Sequence, residues 1–141
     1  MKHPFLLSIL LISQLIMSQI KTSEIKTTWY EVNKISKNNY AIIDCNYRGE
    51  EIKITDNKIF EHGVMEDSEF EIESINVQVN STYIFINKER TNYYKICLIM
   101  QKKGIVEISS NINSINTKRF FVNKKNKLKI KRIKGNSQNC I

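Results

Sequence analysis

Proline is nearly missing from this chain: Pro4 is the only one in 141 residues. Glycine is scarce at four, and there is one tryptophan and there are two histidines. A chain so poor in proline and glycine holds no flexible or proline-rich linker and no collagen-like segment. No internal repeat or low-complexity block is present. The shortage of histidine excludes more. His3 lies at the N-terminus, which leaves His62 alone in the body of the chain. A Ser–His–Asp or Cys–His system needs a histidine held by a third group, and His62 sits beside Gly63 in a polar stretch that reads as a solvated loop. G-x-S-x-G, a Gly-rich phosphate loop and H-E-x-x-H are all absent. Three scattered cysteines and one histidine lack zinc-ligand spacing. No catalytic function, metal or cofactor is expected.

Long apolar runs are also missing, with one exception. Phe5 to Met17 is apolar apart from Ser8, Ser13 and Gln14, and Lys2 and His3 precede it. A short positive region followed by about 7–15 apolar residues is the pattern of a secretory signal peptide. The run is too short to span a bilayer, which needs about 20 residues. Ser18 places a small residue at the cleavage position, so residues 1–18 read as a signal peptide and 19–141 as a single β domain. The expected location is secreted, or periplasmic in the cell envelope, with no transmembrane segment after cleavage.

What remains is rich in β-branched and aromatic runs of strand length separated by short polar breaks. Phe70 to Ile108 shows this best, with breaks at Asn80-Ser81, Asn87 to Asn92 and Gln101 to Gly104. Short breaks imply antiparallel neighbours, because a parallel crossover needs a dozen or more residues. Upstream, Thr28 to Ile35, Tyr40 to Cys45, Glu51 to Thr55 and Lys58 to Phe60 read as strands. Glu61 to Ser68 and Ser109 to Asn116 read as polar loops. Phe120 to Val122 and Leu128 to Ile133 read as a final strand pair. Phe70 and Ile72 share one parity while Ile75, Val77 and Val79 share the other, which predicts a bulge or break near Ser74. The fold class is all-β: an antiparallel meander closing into a small barrel, with a sandwich as the alternative.

Charge is uneven along the chain. Residues 19–90 carry nine bases and thirteen acids, whereas residues 91–141 carry twelve bases and one acid. Glu69, Glu71 and Glu73 alternate with apolar residues, and so do Lys127, Lys129 and Lys131. Opposed strands of this kind would stabilise a sheet by roughly 0.2–1 kcal/mol per pair. The other reading of Lys118, Arg119, Lys127, Lys129, Lys131 and Arg132 is a polyanion site. Aromatics are not interleaved with this run as a stacking platform requires, so specific nucleic-acid binding is not expected. Cys45, Cys97 and Cys140 are an odd number, which suggests one disulfide and one free thiol. Cys45 shares parity with Ala41 and Ile43 and is expected to point inward. Cys97 shares parity with Lys95 and is expected to point outward under the tail, which favours Cys97–Cys140 as the bond.

The opening Thr28-Trp29-Tyr30, the run Ile52 to Ile59 (I-K-I-T-D-N-K-I) and the following meander resemble the small lipocalin-like proteins that bacteria export. Thr27 stands where that family usually has a glycine before the tryptophan. The family's late-strand arginine, which packs over the tryptophan, corresponds to Arg119 or Arg132. The resemblance implies a barrel with an apolar interior able to hold a ligand, lined by Trp29, Tyr83, Phe85, Tyr94 and Phe120. Three functions follow as expectations: a binding protein for a small apolar or amphipathic ligand, a polyanion- or envelope-binding protein using the basic C-terminal strands, or an inhibitor or interaction module using the Glu61 to Ser68 loop. The expected partner is a small hydrophobic ligand or a surface polyanion, and the expected state is a monomer.

Export is checked by intact-mass measurement on protein from the native host. A chain starting near Gln19 is expected, and a full-length cytoplasmic species would refute the signal-peptide reading.

Overall fold

The computed structural model describes residues 20–45, 49–63, 65–136, 138 and 140; residues 1–18, expected above to be a signal peptide, lie outside the described residues. A four-residue helix α1 (Thr22–Ile25) precedes eleven strands: β1 (Thr28–Ser36), β2 (Asn39–Asp44), β3 (Glu51–Ile54), β4 (Lys58–His62), β5 (Asp67–Glu71), β6 (Ser74–Val77), β7 (Thr82–Phe85), β8 (Tyr93–Met100), β9 (Ile105–Ile112), β10 (Ile115–Asn123) and β11 (Lys131–Lys134). Nine of them form one antiparallel path in the order β5-β4-β3-β1-β10-β9-β8-β7-β6. Strand β2 pairs with the far half of β1, and β11 lies parallel to β2.

The path must curl. Laid flat, nine strands about 4.8 Å apart would span about 38 Å. Yet its two edge strands, β5 and β6, are joined only by Ile72 and Glu73, a reach of at most about 11 Å. These two residues bond in opposite directions: Ile72 N–H donates to Asn57 O and Glu73 N–H to Phe85 O, each at 2.8 Å. The break near Ser74 implied by the parity change therefore exists, and it is the place where the chain changes partner. Hydrogen bonding runs from β5 to β6 and does not return on itself, so the expected closed barrel is corrected to a curled, open sheet.

Period-two alternation separates inside from outside. Trp29, Ile52, Ile54, Ile59, Ile84, Ile96, Val106, Ile108 and Phe121 turn inward and form the core, each at most 2% exposed. Full burial of each such aliphatic chain contributes about 1.5–3 kcal/mol. Helix α1 covers one end of this interior with Ile25, and the Trp29 indole Nε1–H donates to Ile25 O at 3.0 Å. The outer face of β1 and β10 carries a smaller cluster, Val32, Tyr40, Ile105, Val122 and Ile130. There β2 and the 3-10 turn Lys124–Lys129 supply the cover.

Several strand limits differ from the sequence reading. The stretch taken as a loop from Glu61 to Ser68 is strand at both ends: β4 runs on to His62 and β5 starts at Asp67. Ser109 to Asn116 is likewise two strand ends joined by Asn113-Ser114, whose φ angles of 51° and 67° suit a two-residue hairpin. Leu128 to Lys129 lies in the 3-10 turn, and β11 does not pair with β10. The lysine strand never faces the glutamate strand, because β5 pairs only with β4.

The disulfide is also corrected: Cys45 bonds Cys140, and Cys97 is free. The parallel pairing of β11 with β2 explains it. The chain leaves β11 in the direction that β2 leaves toward Cys45, and Gly135 N–H donates to Asp44 O at 2.8 Å. Cys97 does point to the outer face, as its parity implied, but the tail runs elsewhere.

Alkylation and peptide mapping of the oxidised protein should find Cys97 as the reactive thiol. Because burial pushes that thiol up, labelling is slow at neutral pH and faster in base. Cys140→Ser should lower stability by about 4–5 kcal/mol, the chain-entropy value for a loop near 95 residues. Labelling of Cys45 in place of Cys97 would refute the pairing.

Candidate functional site

Along the inside of the sheet the residue type changes. Toward α1 it is isoleucine and aromatic. Toward the other end the same inward parity brings Glu31 on β1, Glu61 on β4, Tyr94 on β8, Ser110 on β9, and Thr117 and Arg119 on β10. Glu50 joins them from the residue before β3, where Glu31 N–H donates to Glu50 O at 3.1 Å.

These groups form one network across the curl. Glu61 Oε2 accepts from Tyr94 Oη at 2.7 Å, and its Oε1 accepts from Arg119 Nη2 at 2.5 Å. Arg119 Nη1 also meets Glu50. The arginine and both glutamates keep only about a fifth of their side-chain exposure. At that burial a lone charge is expensive, and pairing with hydrogen bonding offsets the cost. The Arg119 guanidinium lies 5.5 Å from the Phe121 ring centroid, which packs its other face. Burial raises the Glu31 carboxyl above its usual range, with the Arg119 charge opposing. Burial, then the Glu61 charge and hydrogen bond, push the Tyr94 phenol far up, so it remains a donor.

A cavity of about 400 Å³ opens beside this network. Glu50, Glu61, Glu66, Ser110 and Thr117 supply its polar lining, and Phe70, Ile112, Met65 and Ile115 its apolar lining. The Ser110 and Thr117 hydroxyls bond each other at 2.7 Å. Gly63 N–H accepts its place in the tight loop by donating to Glu66 O at 2.9 Å, and a Cβ on Gly63 would fall 2.8 Å from that oxygen. This loop and the Asn113-Ser114 hairpin carry Met65 and Ile115, which are 97% and 68% exposed at the rim. A second cavity of about 430 Å³ lies at the opposite end, between α1, Trp29 and the Gly104 turn.

The five aromatics expected to line one interior are not together. Trp29 and Tyr94 face inward, at opposite ends. Tyr83 and Phe85 lie on the outer face of β7, stacked on each other and near Tyr93. Phe120 lies outside as well, edge-on to Tyr40 at 5.4 Å. The run Tyr83-Ile84-Phe85 has no polar residue to mark its faces, and Ile84 is the one that turns in. Arg119, one of the two candidates to cover Trp29, sits over Phe121 in the charged network. Arg132, the other, forks onto Asp44, with Nε–H donating to Oδ2 at 2.9 Å.

The basic residues do not gather into one patch. Lys118 pairs with Glu107 at 3.0 Å, Arg119 is inside, and Lys127 Nζ lies 3.5 Å from the Tyr30 ring centroid. Lys129 and Lys131 are exposed. His62, expected in a loop, ends β4 with Nδ1 3.0 Å from Asp67 Oδ1 and Nε2 3.9 Å from Glu51 Oε1. The residues missed from sequence are Glu50, Glu61, Ser110 and Thr117. The signal that could have found Glu61 is its shared parity with Ile59.

Arg119→Met should lower stability by about 3 kcal/mol, the low end of what breaking a buried pair costs. Glu31→Gln should act in the opposite sense. A carboxyl raised on folding contributes stability that is present below its unfolded value, near 4.5, and is lost as pH rises through its folded value. The Gln variant should therefore be more stable than wild type at pH 7 and lose that gain near pH 4. Thermal melts across pH check both, and a destabilised Glu31→Gln at pH 7 would refute the burial argument.

No protein-family model, curated protein or solved structure matches this chain.

Proposed function

We propose that this is an exported, non-catalytic binding protein that takes a small amphipathic ligand into the open end of its curled sheet. The observation that carries the reading is the cavity of about 400 Å³, which has the size of a small-molecule site and combines apolar walls with a few convergent polar groups. Two exposed apolar side chains, Met65 and Ile115, flank its mouth, where a ligand's apolar body would cover them. The lipocalin-like resemblance of the T-W-Y opening belongs to the same reading, with the ligand held at the mouth of an antiparallel sheet. Export is supported by the Phe5 to Met17 run and by the Cys45–Cys140 bond, since disulfides persist in oxidising compartments. Among the described residues no helix is long and apolar enough to cross a membrane. The polyanion reading loses support, because four of its six bases are paired, stacked or inside.

N-phenyl-1-naphthylamine, a neutral fluorescent amphiphile, tests the reading. Its emission should rise saturably on mixing with the protein. Thr117→Trp, which fills the cavity, should weaken binding at least tenfold, and Met65→Asp with Ile115→Asp about fivefold in a chain that still folds. Binding untouched by both variants, or no saturable binding, would refute the site.

A further inference from the structure

The cavity's charge is at odds with that of the chain around it. The whole sequence has 22 bases and 14 acids. Yet among the described residues the cavity lining includes Glu50, Glu61 and Glu66 and not one lysine, arginine or histidine. Among the described residues, Arg119 is the cation that pairs with this lining; it sits behind it and is shared between Glu50 and Glu61. Three carboxylates thus face one guanidinium. Among the described residues Glu66, on the rim, makes no ion pair. A fourth acid, Glu31, lies within the field of the same arginine.

We infer that the ligand's polar head is a cation, a protonated amine or quaternary ammonium carried on an apolar body. This rests on the binding reading above and names its ligand class. An anionic head would enter a pocket already in excess of negative charge, where repulsion between like charges is less well screened than in water. A cation would find the field focused by low-dielectric walls. Glu61 is engaged on both oxygens, by Arg119 and Tyr94. The head's partners are therefore Glu50 and Glu66, with the Ser110 and Thr117 hydroxyls as further acceptors. Phe70 lines the same space with its ring 6.1 Å from that of Tyr94, an aromatic wall to which a cation is also attracted. The body lies against Ile112, Met65 and Ile115.

Titration calorimetry of the full chain at pH 7 with octylamine, octan-1-ol and octanoate decides it. These share one hydrocarbon body and differ only in the head. Octylamine should bind at least tenfold more tightly than octan-1-ol, and octanoate more weakly than either. Glu66→Gln, at an exposed rim position, should weaken octylamine severalfold and octan-1-ol much less. Thr117→Trp should weaken both. Equal affinity for amine and alcohol, or tighter binding of octanoate, would overturn the cation inference while Thr117-dependent alcohol binding kept the cavity reading standing. Absence of binding by all three would overturn both.

Discussion

Two residues, Ile72 and Glu73, hold the edges of a nine-strand sheet within one short link, and the sheet has an inside because of it. Were the connection long, β5 and β6 could lie far apart and the meander could be flat or folded into a sandwich. With the edges tied, every strand's inward parity converges on one interior. Apolar residues from β3 and from β8, distant along the path, then share a single core. The adjacent amides of Ile72 and Glu73 bond to Asn57 beside β4 and to Phe85 of β7, so the chain crosses the seam without a β5–β6 ladder. An open seam of this kind keeps the interior accessible at the end where it is not packed.

That interior is not uniform, and the difference between its ends is energetic. Toward the α1 end, isoleucines and Trp29 pack the core and put no charge in it, and the second cavity lies beside them. At the other end Arg119 and its glutamates are drawn into partial burial, where each is tolerable only with the others present. An all-apolar filling would be at least as stable. A charged network, a cavity beside it and exposed apolar residues on the rim are the three features on which the binding proposal rests.

Much of the fold was legible in the chain, and the failures have a common cause. Strand-length runs between short polar breaks located most of the strands, and alternation located the parity change at Ser74, because one-sided burial writes directly into sequence. What alternation could not show was a polar residue turned inward. Glu61, Ser110 and Thr117 sit at strand ends on the core face, and polar residues there extend the apparent loops by several positions. The charged network was therefore hidden inside stretches that read as solvated turns. Arg119 was noticed only as one of many bases, since its burial depends on partners 58 residues away in sequence. The disulfide failed for another reason. Inward and outward parity were right for Cys97, but the parallel docking of β11 on β2 is a long-range pairing that no local pattern encodes.

The outer layer matters to the site for the same long-range reason. Strand β2 is held by β1 on one side and by β11 on the other, and Arg132 forks onto Asp44 at its end. The Cys45–Cys140 bond then fixes the chain five positions before Glu50. Glu50 is placed by its backbone bond from Glu31, just before β3 begins. Its carboxylate reaches Arg119 from there. A covalent tie on the outside of the sheet and an ion pair on the inside are two ends of one constraint on β1, the strand that both layers share.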